Sequence, residues 1–153
     1  MVKLVEITEG NFFAYRALSV SKAQSGFLDT AVGIIARGYL YRGSRARVFG
    51  IEEDGAPSGL ALIKDLDEEP ACYDLQQFMI DARFQGRGVG SAALRMILDL
   101  LASERKYHCV EVCVKKEDKA ALHLYEKAGF VDTGYVDEDT PGSVNLMYRF
   151  DEA

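Results

Sequence analysis

Three glycines at alternate positions, Gly86, Gly88 and Gly90, occupy the run RFQGRGVG at residues 83–90. Gln85 precedes them and Arg87 lies among them. Glycine has no side chain, so such a run lets backbone N–H groups come close to a ligand. The residues before it, YDLQQFMID at 73–81, read as a buried strand. Those after it place Val89, Ala93, Met96, Ile97, Leu100 and Leu101 at helical spacing, which predicts a helix over 91–104 with one inward face. A strand, a glycine loop and a helix in that order point free N–H groups along the positive end of a helix dipole. That is an anion site, phosphate above all. Turn signals alone also allow a tight turn that holds no ligand.

The rest of the chain supplies elements around this loop. Residues 3–7 alternate as a strand, and Thr8 can cap a short helix to Leu18 with Phe12, Tyr15 and Leu18 inward. Ser21 with Gln24 has the capping-box form. Phe27, Leu28, Ala31, Ile34, Ile35 and Gly38 then fall on one helical face. Tyr39, Tyr41, Arg42, Arg45 and Arg47 form a basic, aromatic connection, read as the flexible edge of a substrate cleft. Strands at 47–53 and 58–64 flank Asp54-Gly55, a hairpin turn signal, and 71–80 is a third antiparallel strand. Residues 108–115 form a strand that must lie parallel to it, because a helix makes the crossover. Asp118 can cap a helix with the stripe Ala121, Leu124, Tyr125 and Ala128, and Gly129 sits where a C-terminal glycine belongs. Strands at 130–135 and 144–150 close the chain as a hairpin around Pro141-Gly142. The sum is one α/β domain over residues 1–153, with a mixed sheet and a single parallel βαβ crossover.

Charge narrows the function. A net charge of −6 argues against nucleic acid, which needs a basic patch. Acidic runs at 52–54, 65–69 and 137–139 fall in turns, either as solvated loops or as a field that attracts a cation. No apolar run reaches the length of a membrane span, and the N-terminus lacks a signal-peptide pattern. Cys72, Cys109 and Cys113 are an odd number, which points to reduced thiols and a cytoplasmic setting. Cys109 and Cys113 share a strand face but lie too far apart to bond. His108 and His123 add no metal-ligand spacing, so no metal is expected.

Two segments coincide: the QGRGVG loop after a strand, and AALHLYEKAGF at 120–130, about 35 residues on. Together they resemble the GNAT superfamily of acetyl-CoA-dependent N-acetyltransferases. That family's Q/R-x-x-G-x-G/A pattern is met by Gln85, Gly88 and Gly90, and its LYEKxGF-like form by residues 124–130. The inferred element order matches from end to end. The resemblance implies a GNAT-like, mostly antiparallel sheet of six to seven strands with flanking helices. It implies that backbone amides of Gln85, Gly86, Arg87, Gly88, Val89, Gly90 and Ser91 cradle the pyrophosphate of acetyl-CoA. Backbone groups of Phe78, Met79 and Ile80 would pair with the pantetheine arm as an added strand does. Tyr125 would protonate the departing thiolate, and Lys127 would reach a CoA phosphate. Asp118 stands where the family often has a cofactor-contacting Asn, so a simple cap competes with that contact. The pattern at Val20, Ser21, Gln24 and Phe27 is similar to bacterial polyamine (spermine/spermidine-type) acetyltransferases, which implies a small cationic amine as acceptor. Another amine or a protein N-terminus is the alternative. A homodimer joined through exposed sheet edges is a further implication.

Direct attack of an amine on the thioester within a ternary complex follows, with proximity supplying much of the rate. A backbone N–H near residues 78–80 would polarise the carbonyl. An alkyl amine has a pKa of about 10.4, so a carboxylate must help remove its proton. Asp74 and Glu111 are the candidates, with Glu111 preferred. Two other classes compete. A dinucleotide enzyme is mimicked by Gly86-x-Gly88 and Glu111, but Ser91 replaces the third glycine and Glu111 falls mid-strand. A non-catalytic acyl-CoA sensor has no use for Tyr125.

Overall fold

Asp54 and Gly55 both take left-handed backbone, with φ of 49° and 83°. This is what a two-residue hairpin requires. They join β2 (Arg47–Glu53) to β3 (Ala56–Leu66) in a computed structural model that describes residues 1–151. The remaining strands are β1 (Val2–Glu6), β4 (Cys72–Ile80), β5 (Cys109–Lys115), β6 (Val131–Asp132) and β7 (Ser143–Arg149). The helices are α1 (Phe12–Arg16), α2 (Ala31–Leu40), α3 (Val89–Glu104) and α4 (Lys119–Ala128). One seven-stranded sheet runs in the order β1-β2-β3-β4-β5-β7-β6. Every neighbouring pair is antiparallel except β4 and β5.

Alternate side chains on a strand face opposite ways, and both faces are covered. Leu94, Ile97, Leu98 and Leu101 of α3 pack with Ala61, Ile63, Tyr73, Leu75 and Val110. Tyr15, Ala31 and Ile34 of α1 and α2 pack with Leu60, Leu62 and Met79 on the other face. The inward stripe of α3 is therefore rotated from the expected one. Met96 is 36% exposed and Leu100 half-buried, because α3 lies flat on the sheet and buries adjacent pairs.

The parallel contact between β4 and β5 is short. Only Tyr73↔Val110 and Asp74↔Glu111 are in register. One residue later the β3–β4 register slips: Leu62 opposes Gln77 and Ile63 opposes Leu75, leaving Gln76 as a bulge. A bulge bends its strand and increases its twist. Past it, β4 stays with β3 and departs from β5, so the sheet opens between Leu75–Ile80 and Val112–Lys115.

Three expected elements differ. The helix expected after Ser21 begins only at Ala31, where Thr30 Oγ1 accepts from Gly33 N–H at 3.1 Å. The preceding residues form turns, with Gln24 N–H donating to Ser21 O. The strand expected over 130–135 is two residues long, because Gly134 turns left-handed (φ 76°) and Asn145 Nδ2 ties down the Tyr135 carbonyl instead. The basic connection is pinned by ion pairs, and its residues line neither of the cavities that Tyr125 borders. Arg45 binds Asp65 and Asp67, and Arg47 binds Glu104. Asp65 is in register with Tyr73, at the closed end of β4. No helix among the described residues is long and apolar enough to cross a membrane.

Candidate active site

The glycine loop runs directly into α3, whose N-cap is Gly88. Gly86 and Gly88 have φ of 75° and 79°, and a Cβ added at either would touch nothing. Glycine is needed there for backbone shape, not for room. Ala92 N–H is the first donor of α3 to find an acceptor, Gly88 O at 3.1 Å. Among the described residues, no backbone N–H of residues 85–91 bonds a protein acceptor. These donors sit at the positive end of a sixteen-residue helix.

Asp81 anchors the loop. Its carboxylate accepts from Ser19 N–H at 2.9 Å, Arg83 N–H at 2.9 Å and Arg83 Nε at 2.8 Å. Burial opposes the charge, but these donors more than offset it and hold the carboxyl below the usual range. Gln85 folds back so that its Nε2 donates to Ile80 O at 2.9 Å. A cleft of about 420 Å³ follows, lined by Phe78, Met79 and Ile80 on the strand side and Asp118, Ala121 and Tyr125 on the helix side. Gln85, Gly86, Gly88, Gly90 and Ser91 form one end.

Tyr125 lies where the strands part. Asp118, Ala121 and Tyr125 share one face of α4 by their spacing. The ring packs on Phe130 and Phe78, with centroids 5.3 and 6.4 Å away. Its residue is 5% exposed, and no protein group among the described residues bonds its hydroxyl. Burial pushes the phenol well above its ordinary pKa, and the Asp118 carboxylate adds to the shift. Tyr125 also lines a smaller cavity of about 90 Å³ on the far side of the opening, with Phe27, Gln76, Phe78, Cys113 and Lys115.

At the root of the opening, Asp74 and Glu111 are side by side in register. Tyr73 and Val110 turn into the α3 core, so by alternation these carboxylates project toward the α2 face. Burial raises Asp74 to about 6, against the pull of the Lys64 ammonium 3.4 Å away. Burial also raises Glu111; the Cys72 thiol at 3.8 Å opposes the shift, and the charges of Glu68 and Asp137 add to it. Tyr135 is held up by Asp137, Glu68, Glu138 and Glu111 together. The acidic residues Glu68, Asp137 and Glu138 thus gather near Glu111 and Tyr135.

Most residues singled out from the sequence meet in one cleft, though not all. Arg87 does not line it: its guanidinium stacks over Phe84, 5.3 Å from the ring centroid. Val89 is buried with Ile51 and Ala93. These two offer the cleft only their backbone. Asp118 caps α4, its Oδ1 accepting from Ala121 N–H at 3.2 Å, while still bordering both cavities. Lys127 lines the cleft beside Ser91. Glu111 lines neither cavity but stands at the foot of the opening. The acidic turn at 52–54 lies by the N-terminus and Arg87, away from Tyr125. Sequence reasoning missed the side chains of Gln24 and Leu28 as parts of the wall and Gln76 as the bulge. Local periodicity carries no signal for them, since each is placed by contacts far along the chain.

Residues 14–130 match the model of the acetyltransferase (GNAT) family. A spermidine N(1)-acetyltransferase of Escherichia coli (strain K12) is 27% identical over 84 residues, 55% of this chain and 45% of that protein. A spermine/spermidine N(1)-acetyltransferase of Bacillus subtilis (strain 168) is 24% identical over 143 residues, 89% of this chain and 91% of that protein. An N-alpha-acetyltransferase RimI of Mycobacterium tuberculosis is 33% identical over 86 residues, 56% of this chain and 52% of that protein. The chain thus spans about half the length of the E. coli and M. tuberculosis relatives. Among solved structures, an aminoglycoside acetyltransferase with coenzyme A superposes with a TM-score of 0.79 at 18% identity, over 97% of this chain and 95% of that one. A spermidine N-acetyltransferase from Vibrio cholerae with CoA and spermine gives 0.72 at 16% identity, over 97% and 95%. At these identities the structures share the fold.

Proposed function

Because the chain belongs to the GNAT family, we propose that it is an acetyl-CoA-dependent N-acetyltransferase, that acetyl-CoA lies between the 85–91 loop and the unpaired edge of β4, and that the acceptor is a small cationic amine of the polyamine type. One observation carries the cofactor reading. The unengaged backbone N–H groups of 85–91 continue into the open edge of Phe78, Met79 and Ile80, which leads to the hydroxyl of Tyr125. A pyrophosphate on the loop and a pantetheine arm along the strand place the thioester at Tyr125. Lys127 adds a cation at the phosphate end.

The amine attacks the thioester carbonyl while a β4 N–H stabilises the oxyanion. Glu111, at the foot of the opening, takes the amine's proton through water. Its raised pKa makes it a better base than an ordinary carboxylate. As the C–S bond breaks, the Tyr125 hydroxyl donates to the forming thiolate. Its own raised pKa keeps the phenol protonated, so it is a donor at any working pH.

Glu68, Glu111 and Asp137 support a cationic acceptor, as does the likeness to the E. coli and B. subtilis proteins. A peptide N-terminus is the second reading. It is favoured by the RimI likeness and because, among the described residues, Asp118 is the one acidic residue bordering either cavity. CoA release from acetyl-CoA, measured with spermidine and with a short peptide bearing a free N-terminus, separates the two. Release with spermidine that collapses in Tyr125→Phe supports the first reading. Release with the peptide alone removes the polyamine.

A further inference from the structure

The segment between α1 and α2 has almost no secondary structure of its own. Residues 21–27 are held internally by a few turn bonds, yet the segment supplies Val20, Gln24 and Leu28 to the larger cavity, and Phe27 and Leu28 to the smaller one. Long-range ties fix its position. Ser19 bonds Asp81 through its N–H and accepts from Ala82 N–H. Asp29 N–H donates to Gln77 Oε1 at 3.1 Å. Lys115 Nζ reaches across the opening to Gly26 O at 2.6 Å. Between these anchors, Gln24 and Gln85 pair amide to amide: Gln24 Nε2 donates to Gln85 Oε1 at 3.0 Å, and Gln85 Nε2 donates to Gln24 Oε1 at 2.9 Å.

This pair differs from the other ties in where it ends. Gln85 belongs to the anion loop, and the same Nε2 also holds Ile80 O, the last residue of the unpaired β4 edge. Two bonds in opposite senses fix the relative orientation of the amides, which one bond does not. Anything that draws the backbone of 85–91 onto a phosphate fixes Gln85, and Gln85 then fixes Gln24. Phe27 and Leu28, three and four residues on, line the cavity that Tyr125 shares.

We propose that Gln24 is a positioning residue that couples cofactor occupancy of the 85–91 loop to the acceptor wall formed by residues 24–28. The proposal rests on the reading that this loop holds the pyrophosphate of CoA. Loading the loop tightens the wall through this pair, so the acceptor site and the cofactor site strengthen each other. Such coupling is reciprocal.

The test uses CoA itself, with calorimetry for binding and amide hydrogen exchange for order. In the wild-type protein, CoA is expected to slow exchange at 85–91 and also at 21–28, the latter by about fivefold, the low end of coupling between sites. In Gln24→Ala, CoA is expected to bind and protect 85–91 but leave 21–28 unchanged. Gln24 is half-buried and in no hydrophobic cluster, and a thermal melt checks that the variant folds. The double variant Gln24→Ala/Gln85→Ala should lose no more protection at 21–28 than Gln24→Ala alone. Protection of 21–28 that persists in Gln24→Ala overturns the proposal, as does its absence in wild type that binds CoA. Failure of wild type to bind CoA overturns the cofactor reading, and the proposal with it.

Discussion

In the proposed mechanism Tyr125 serves packing and chemistry together. Phenylalanine fills the same space against Phe78 and Phe130 and lacks only the hydroxyl. Tyr125→Phe should therefore fold normally, while kcat falls about 10²-fold or more, the usual worth of a general acid. Stopped-flow or steady-state CoA release reads this directly. Two aspartates near the site respond to pH in opposite senses. Asp81 is held below the ordinary range, so its stabilisation is present above the unfolded value of about 3.9 and is lost as pH falls through the folded one. Asp81→Asn should cost about 1–3 kcal/mol at pH 7, the difference closing in acid, as followed by urea unfolding. Asp74, raised to about 6, behaves in reverse. Its contribution is complete below the unfolded value of about 3.9 and is lost as pH climbs through 6. In Asp74→Asn that decline in stability, up to about 2 kcal/mol between pH 4 and 6, should disappear from the urea curves.

Within the loop and helix, glycines that look alike in sequence do different work. Gly88 caps α3 with φ of 79°, a backbone that costs an ordinary L-residue about 1–2 kcal/mol. Gly90 is inside the first turn, and a Cβ there would meet Ile80 at 3.5 Å and Leu124 at 3.8 Å, ordinary contact distances. Gly88→Ala should lose that stability and also weaken CoA by about tenfold as the N–H groups turn away, whereas Gly90→Ala should gain a few tenths of a kcal/mol from helix propensity, up to about 1. Denaturant melts and calorimetry distinguish them. The α1–α2 segment makes the opposite point. Ser21 and Gln24 fit a capping box, yet Gln24 is drawn off to Gln85 and the helix starts at Ala31, capped by Thr30. A tertiary bond outcompetes a local cap of similar strength.

Across the whole molecule, the sheet places its acids unequally. The 52–54 turn serves the N-terminus, Asp65 serves Arg45 and Lys106, and Glu68 and Asp137 act on Glu111. Of these, only the last group lies beside the proposed general base. Exposed charges act over a distance of about 10 Å at 0.1 M salt. If the acceptor is a polycation, its KM should rise several-fold between low and high ionic strength while kcat holds, and Glu68→Gln should flatten that slope. Initial rates over a salt series measure it.

The features legible in the chain depend on neighbours within a few residues. Asp54-Gly55, the glycine loop into α3, the Asp118 cap and the Gly129 C-cap (φ 111°) all form as their local chemistry demands. Strand alternation and helical stripes likewise set most of the element order. Features that only the tertiary structure decided depend on residues distant in sequence. The slip between Leu62 and Ile63 leaves Gln76 unpaired and parts β4 from β5. Helix α4 brings Tyr125 into that gap, and Gln24 meets Gln85 across 61 positions. Local propensity sees a window of about one turn or one strand pair. A splayed sheet is set by the register of three strands at once, so it becomes definite only when all three are packed.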